Sequence, residues 1–139
     1  MKRITTIAVC LLASLAAVGT ASAQDHAAKA AVPFGFFVGS TWVPPGTYAI
    51  TSESRSPNVI AIRNEDGKAS VLSLAQPDEQ RSKSNTLVFK KYGGQYFLHE
   101  ILCSACRMNV AFSGSKRERL AQTREASVAP PTDVYLALK

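Results

Sequence analysis

The chain has 139 residues, 46% of them hydrophobic, with 16 basic against 10 acidic side chains and a formal charge of +6 at pH 7. That length fits a single domain able to bury a core without a metal or a dense set of disulfides. The charge is only mildly basic, enough for attraction to an anionic surface and too weak to argue for nucleic acid.

Lys2 and Arg3 precede an apolar run from Ile7 to Val18, which leads to Ala21-Ser22-Ala23. This is the pattern of a secretory signal peptide with a small-residue cleavage site, and the run is too short to span a membrane. The expected organisation is a signal peptide at 1–23, a mobile leader at 24–31 and one β-rich domain at 32–139. Cleavage after residue 23 of 139 leaves 116 residues. Loss of Lys2 and Arg3 lowers the net charge from +6 to +4. The expected destination is the periplasm or the exterior. Ile7-Ala8-Val9 ahead of Cys10 lacks the small residue of a lipidation site, so no anchor is expected.

From Val32, Phe34, Phe36 and Val38 alternate with Pro33, Gly35, Phe37 and Gly39, the period-two signature of a strand. Pro45-Gly46 has the chemistry of a type II turn, with Gly46 at positive φ, before a strand through Tyr48 to Thr51. Val59 to Arg63 and Ala69 to Ala75 flank an Asp66-Gly67 hairpin signal. Polar residues from Gln76 to Asn85, with Pro77, read as a loop.

The clearest hairpin joins Thr86–Tyr92 to Gln95–Cys103 through Gly93-Gly94. It predicts Tyr92 opposite Gln95, Phe89 opposite Leu98 and Val88 opposite His99. Met108, Val110 and Phe112 alternate again. Ser115 and Glu118 have capping-box spacing for a helix from about Lys116 to Ala126, stopped before Pro130-Pro131. Val134, Leu136 and Leu138 suggest a last strand. The fold class is therefore mainly β, an antiparallel sandwich or small barrel with one short C-terminal helix.

The segments VPFGF (32–36), PPGTY (44–48), YGGQYFL (92–98) and SKRER (115–119) resemble those of a family of small uncharacterised secreted bacterial proteins with VPFxF, PxGxY, YGxQYFL and SxRER-like motifs. The resemblance covers about residues 32–120 and implies export and a β fold, with no activity or catalytic residues attached. Gly35 and Pro45 depart from its usual pattern, and the CxxC is not one of its features.

Cys103 and Cys106 are the disulfide candidate. Cys10 leaves with the signal peptide, so these two are the only thiols in an oxidising compartment. A redox CxxC needs a lowered thiolate pKa, commonly at a helix N-terminus, and here strands flank both sides. Zinc needs about four ligands, and His99, the nearest candidate, lies some 13 Å along a straight strand from Cys103. Arg107 occupies the position a haem-attachment motif gives to histidine. A thiol-based function, either redox exchange or metal capture, is the alternative reading.

Cleavage before Gln24 would leave His26 third from a free amine, a square-planar Cu or Ni site of low priority because N-terminal glutamine cyclises. Lys116, Arg117, Arg119 and Arg124 are the binding-surface candidates for phosphate, lipopolysaccharide or an anionic glycan, against the simpler reading of a solvated helix face. Trp42, Tyr48, Tyr92 and Tyr96 are either a carbohydrate-stacking platform or ordinary core aromatics. Ser113 to Lys116 lacks phosphate-loop spacing, and no hydrolase elbow or metalloprotease helix occurs. The expectation is a non-enzymatic domain without a cofactor, with a binding or structural role toward an unidentified component of the periplasm or envelope; the surface is left open, and the basic helix would suit an anionic partner.

Overall fold

A computed structural model of the chain describes residues 26–53, 55–79 and 83–139. The expected signal peptide, Cys10, Gln24, Asp25 and the side chain of His26 lie outside this description, and with them the amine-terminal copper site.

In chain order the strands are β1 (His26–Val32), β2 (Phe36–Val38), β3 (Thr41–Val43), β4 (Gly46–Glu53), β5 (Ser56–Asn64), β6 (Ser70–Leu74), β7 (Gln76–Pro77), β8 (Asn85–Tyr92), β9 (Gln95–Cys103), β10 (Met108–Ala111) and β11 (Thr132–Ala137). One helix, α1 (Lys116–Glu125), precedes β11. The protein is mainly β, with curled sheets forming a sandwich-like half-barrel.

One sheet has the order β1-β4-β5-β6 and the other β11-β8-β9-β10-β7, with β2 pairing β3 and β9 off that path. The two are joined at both sides. On one side the chain passes from β6 to β7 through buried Ala75, whose amide donates to the Asn58 carbonyl at 2.8 Å. On the other, Lys29 and Lys139 exchange backbone hydrogen bonds of 3.0 and 2.8 Å. Pairing is antiparallel except for the β2–β9 contact at Phe37 and Phe97.

The leader reading of 24–31 is corrected from His26 onward: β1 pairs with β4 from His26↔Ser52 to Val32↔Gly46. Ala28, Ala30 and Val32 are buried, whereas Ala27, Lys29 and Ala31 face out. Alanine on both faces hides that alternation from a hydropathy reading. The strand expected from Val32 is also displaced, because β1 ends there and a break at Pro33–Gly35 separates it from β2.

Gly46 is not at positive φ, so the type II turn does not form. Glycine is required there by close approach instead, since a Cβ would collide with Asn64 Nδ2. The Tyr48 hydroxyl donates to the Pro44 carbonyl at 2.5 Å and fixes the entry to β4.

The β8–β9 hairpin keeps Tyr92↔Gln95 and Phe89↔Leu98, but Val88 pairs with Glu100 rather than His99. Alternation from the expected register puts His99, Ile101 and Cys103 together on the face opposite Leu98; one extra residue on β9 makes a bulge and returns Ile101 and Cys103 to the face of Leu98. Leu87, Phe89, Leu98, Ile101 and Cys103 consequently all join the main core. That core lies between the sheets, with Phe36, Tyr48, Ile50, Ile62, Phe89 and Ile101 among its most buried side chains. Each such side chain contributes roughly 1.5–3 kcal/mol of apolar burial. β2 is buried on both faces: Phe36 and Val38 enter the main core, whereas Phe37 joins Tyr92 and Phe97 in a second cluster packed against Ala121 of α1.

Candidate binding cleft

α1 begins where the Ser115 hydroxyl accepts from the Glu118 amide at 3.1 Å. This half of the expected capping box forms. The other half does not, because the Glu118 carboxylate is buried and accepts a long, 3.4 Å hydrogen bond from the Tyr92 hydroxyl instead of reaching the Ser115 amide. Burial raises the Tyr92 pKa above its ordinary value of 10.0, and the charge of Glu118, its hydrogen bond and the charge of Asp133 add to the rise.

The helix meets the sheet along a short stack. The Phe37 ring lies parallel to Phe97 at 5.1 Å, Tyr92 meets Phe97 edge-on at 5.8 Å, and the Arg117 guanidinium sits 4.4 Å above Phe37. A cation over an aromatic face is attracted by the ring quadrupole, so this contact orients Arg117 as well as holding α1. At the far end Glu125 packs on the hairpin turn at Gly93, whose φ of +56° favours glycine. A Cβ at Gly93 would lie 2.5 Å from Glu125 Oε1, the far end of a flexible side chain that can swing aside, so the left-handed backbone is what calls for glycine there.

Between α1 and the β8–β9 turn the surface opens into a cleft of about 630 Å³, lined by Ser40, Gln95, Lys116, Arg117, Leu120 and Arg124 among others. Three of the four basic candidates are thus brought together. Arg119 is not: it leaves the helix on another side and donates to the Gly114 carbonyl at 3.2 Å. Among the described residues Lys116, Arg117 and Arg124 form no ion pair, and Glu125 is the one acid in the lining.

Sequence reading did not pick out Ser40, Gln95 or Leu120. A usable signal existed for Leu120, since Arg117, Leu120, Ala121 and Arg124 are spaced i, i+3, i+4, i+7 on one helix face. Ser40 and Gln95 enter only through the packing of two turns beside the helix, which no local pattern encodes.

The other candidates separate clearly. Cys103 and Cys106 form a disulfide with Cα atoms 5.4 Å apart. It closes the β9–β10 turn, where Arg107 takes φ 52° and Asn85 Oδ1 accepts from the Ala105 amide at 3.3 Å. Both cysteines are buried in the main core. His99 lies on the other face of β9, with Nε2 3.7 Å from a Glu100 carboxylate oxygen. No group of three or more metal-ligating side chains occurs among the described residues.

Of the four aromatics considered as a platform, Tyr48 and Tyr92 are buried and Tyr96 stacks on Phe34 at 3.9 Å, whereas Trp42 is 57% exposed. Among the described residues no helix is long and apolar enough to cross a membrane. Comparison with protein-family models, with curated proteins and with solved structures finds no match.

Proposed function

We propose that this chain is an exported, non-enzymatic β domain that binds an anionic component of the periplasm or cell envelope in the cleft between α1 and the β8–β9 turn. The observation that carries the reading is the convergence of Lys116, Arg117 and Arg124 on one concave surface, where among the described residues none of the three forms an ion pair and Glu125 is the single acid of the lining. Unpaired cations at a concave, partly apolar surface are worth more to a bound anion than the same charges scattered over a convex one, because the walls displace water and focus the field. Ser40 and Gln95 add hydrogen-bonding groups, and Leu120, 51% exposed, adds apolar surface. Export is supported by the Lys2-Arg3 and apolar pattern at the start of the sequence and by a cysteine pair suited to an oxidising compartment. The thiol reading gains no support from the buried sulfurs, since exchange requires access to a partner.

The test compares Lys116→Gln/Arg117→Gln/Arg124→Gln with Arg119→Gln, using lipopolysaccharide, phosphatidylglycerol vesicles and a tri-galacturonate as anionic probes. The reading requires at least one probe to bind the parent protein in a salt-dependent manner. It also requires loss in the triple variant and retention in Arg119→Gln. Binding of none of them, or equal losses in both variants, would show that no cleft-specific anion site exists.

A further inference from the structure

β6 is the edge of its sheet, and its hydrogen-bonding phase follows from the two ends of the ladder it makes with β5. The Asn64 amide donates to the Ala69 carbonyl at one end and the Ala75 amide to the Asn58 carbonyl at the other, each at 2.8 Å. Hydrogen-bonded pairs alternate in an antiparallel ladder, so Ile62↔Val71 and Ile60↔Ser73 are the bonded pairs between them. Ser70, Leu72 and Leu74 therefore turn their N–H and C=O groups away from β5. Further along that same edge β10 takes over: it pairs with Gln76 and Pro77, and its Asn109 carbonyl accepts from the Asp78 amide at 2.9 Å. β10 ends at Ala111, and the Phe112 amide turns back to the His99 carbonyl at 2.8 Å. Among the described residues no hydrogen bond from another strand or loop reaches Ser70, Leu72 or Leu74 on this edge.

The side chains agree with the backbone. Leu72 is 67% and Leu74 75% exposed, and their ladder partners on β5, Ala61 and Val59, extend the apolar surface. Other edges carry features that discourage strand pairing: β3 is three residues long and runs into Pro44-Pro45, and β11 follows Pro130-Pro131 and carries Asp133. β6, with the sequence Ser-Val-Leu-Ser-Leu, has neither a charge nor a proline. A slot of five residues, bounded by β10 at Gln76 and by the Asp66-Gly67 turn, thus offers unmet backbone groups beside two exposed leucines.

We infer that β6 pairs antiparallel with β6 of a second copy of this chain, across a twofold axis at Leu72. The outward residues are evenly spaced about Leu72. In that register Leu72 faces Leu72 of the other copy, Ser70 faces Leu74 in both directions, and every outward N–H and C=O finds a partner. Sliding the copy toward Gln76 drives it into β10, and sliding it the other way leaves Leu74 without a strand partner. The slot is as long as β6 itself, and an uncharged strand meets no repulsion from its own copy. Two four-stranded sheets become one continuous sheet, with the leucines of both copies on one face. A contact of this size falls short of the roughly 1,200–2,000 Å² buried by stable interfaces, so the pairing is reversible and depends on concentration. It is independent of the anion reading, since β6 and the cleft share no residue.

The full chain is expressed in a bacterium, and its mass in solution is followed by light scattering and sedimentation from about 10 μM to about 1 mM. The expected result is a reversible monomer–dimer equilibrium. Leu72→Lys sets like charges against each other on the axis and is expected to weaken dimerisation at least about tenfold, as is Leu72→Glu. An equimolar mixture of the two variants should dimerise again, because opposite charges then meet on the axis. Tyr135→Lys, which adds the same charge at an exposed position of β11, should dimerise like the parent. Circular dichroism and urea unfolding confirm that each variant keeps the fold.

A parent that stays monomeric throughout, or a dimer that Leu72→Lys leaves intact, overturns the inference. So does a mixture of the two Leu72 variants that stays monomeric. A monomeric parent whose β6 edge takes up an unrelated extended peptide shows a different occupant and overturns it as well.

Discussion

Replacing both cysteines, Cys103→Ala/Cys106→Ala, isolates what the disulfide does for the fold. The ring spans a sequence separation of 3, so the chain-entropy model gives about 2 kcal/mol of stabilisation through the unfolded state. Removing two buried sulfurs from the main core adds a packing loss of about 1 kcal/mol. Part of the turn survives without the bond, because Asn85 still holds the Ala105 amide and Met108 still pairs with the backbone of residue 103. The expected total is thus roughly 2–3 kcal/mol, or a fall in Tm of about 8–15 °C for a domain of this size. Urea unfolding of parent and variant, followed by circular dichroism and fluorescence, measures it. A second readout follows from burial. Reduction of the parent by dithiothreitol should proceed through unfolding, so its rate should climb with urea in parallel with the unfolding rate. Rapid reduction in native buffer, or a variant as stable as the parent, would refute the picture of a staple sealed inside the core.

Phe97→Ala, at the centre of the Phe37–Tyr92 stack, should cost roughly 3–5 kcal/mol in urea unfolding and loosen α1 enough to raise amide exchange in 116–125. Tyr92 has its folded pKa raised by burial and by Glu118, so it stabilises the fold fully below its unfolded pKa near 10. That contribution is lost as pH rises through the folded pKa. The difference in stability between the parent and Tyr92→Phe should therefore be flat up to about pH 9.5 and shift against the parent above it, as measured by unfolding at a series of pH values.

The β8–β9 hairpin was legible because two glycines sit between apolar runs, and turn chemistry is local. The bulge inside it was harder, since a strict period of two carries the expected faces past His99 unchanged. Its trace is nonetheless in the sequence: His99-Glu100 puts two polar residues in succession between Leu98 and Ile101, which alternation alone does not allow. β1 was missed for a different reason. Its inward and outward positions are both largely alanine, so burial there is set by the β4 partner rather than by any contrast of its own. At the cleft, the charges on α1 could be listed from the sequence, but which of them converge depends on helix phase. Arg119 is two positions from Arg117 and points about 200° away from it around the axis.

The backbone exchange between Lys29 and Lys139 bears on how the molecule assembles. The β4–β5 and β8–β9 pairings join neighbours in sequence and close short loops, whereas this seam joins residues 110 positions apart (139 − 29). Loop-closure entropy makes it among the most expensive contacts to form early. During synthesis β1 has its β4 partner long before the other side of the seam exists. The curled sheets therefore close on this side only after Lys139 has been made and has reached β1, which makes the closure a late step of folding.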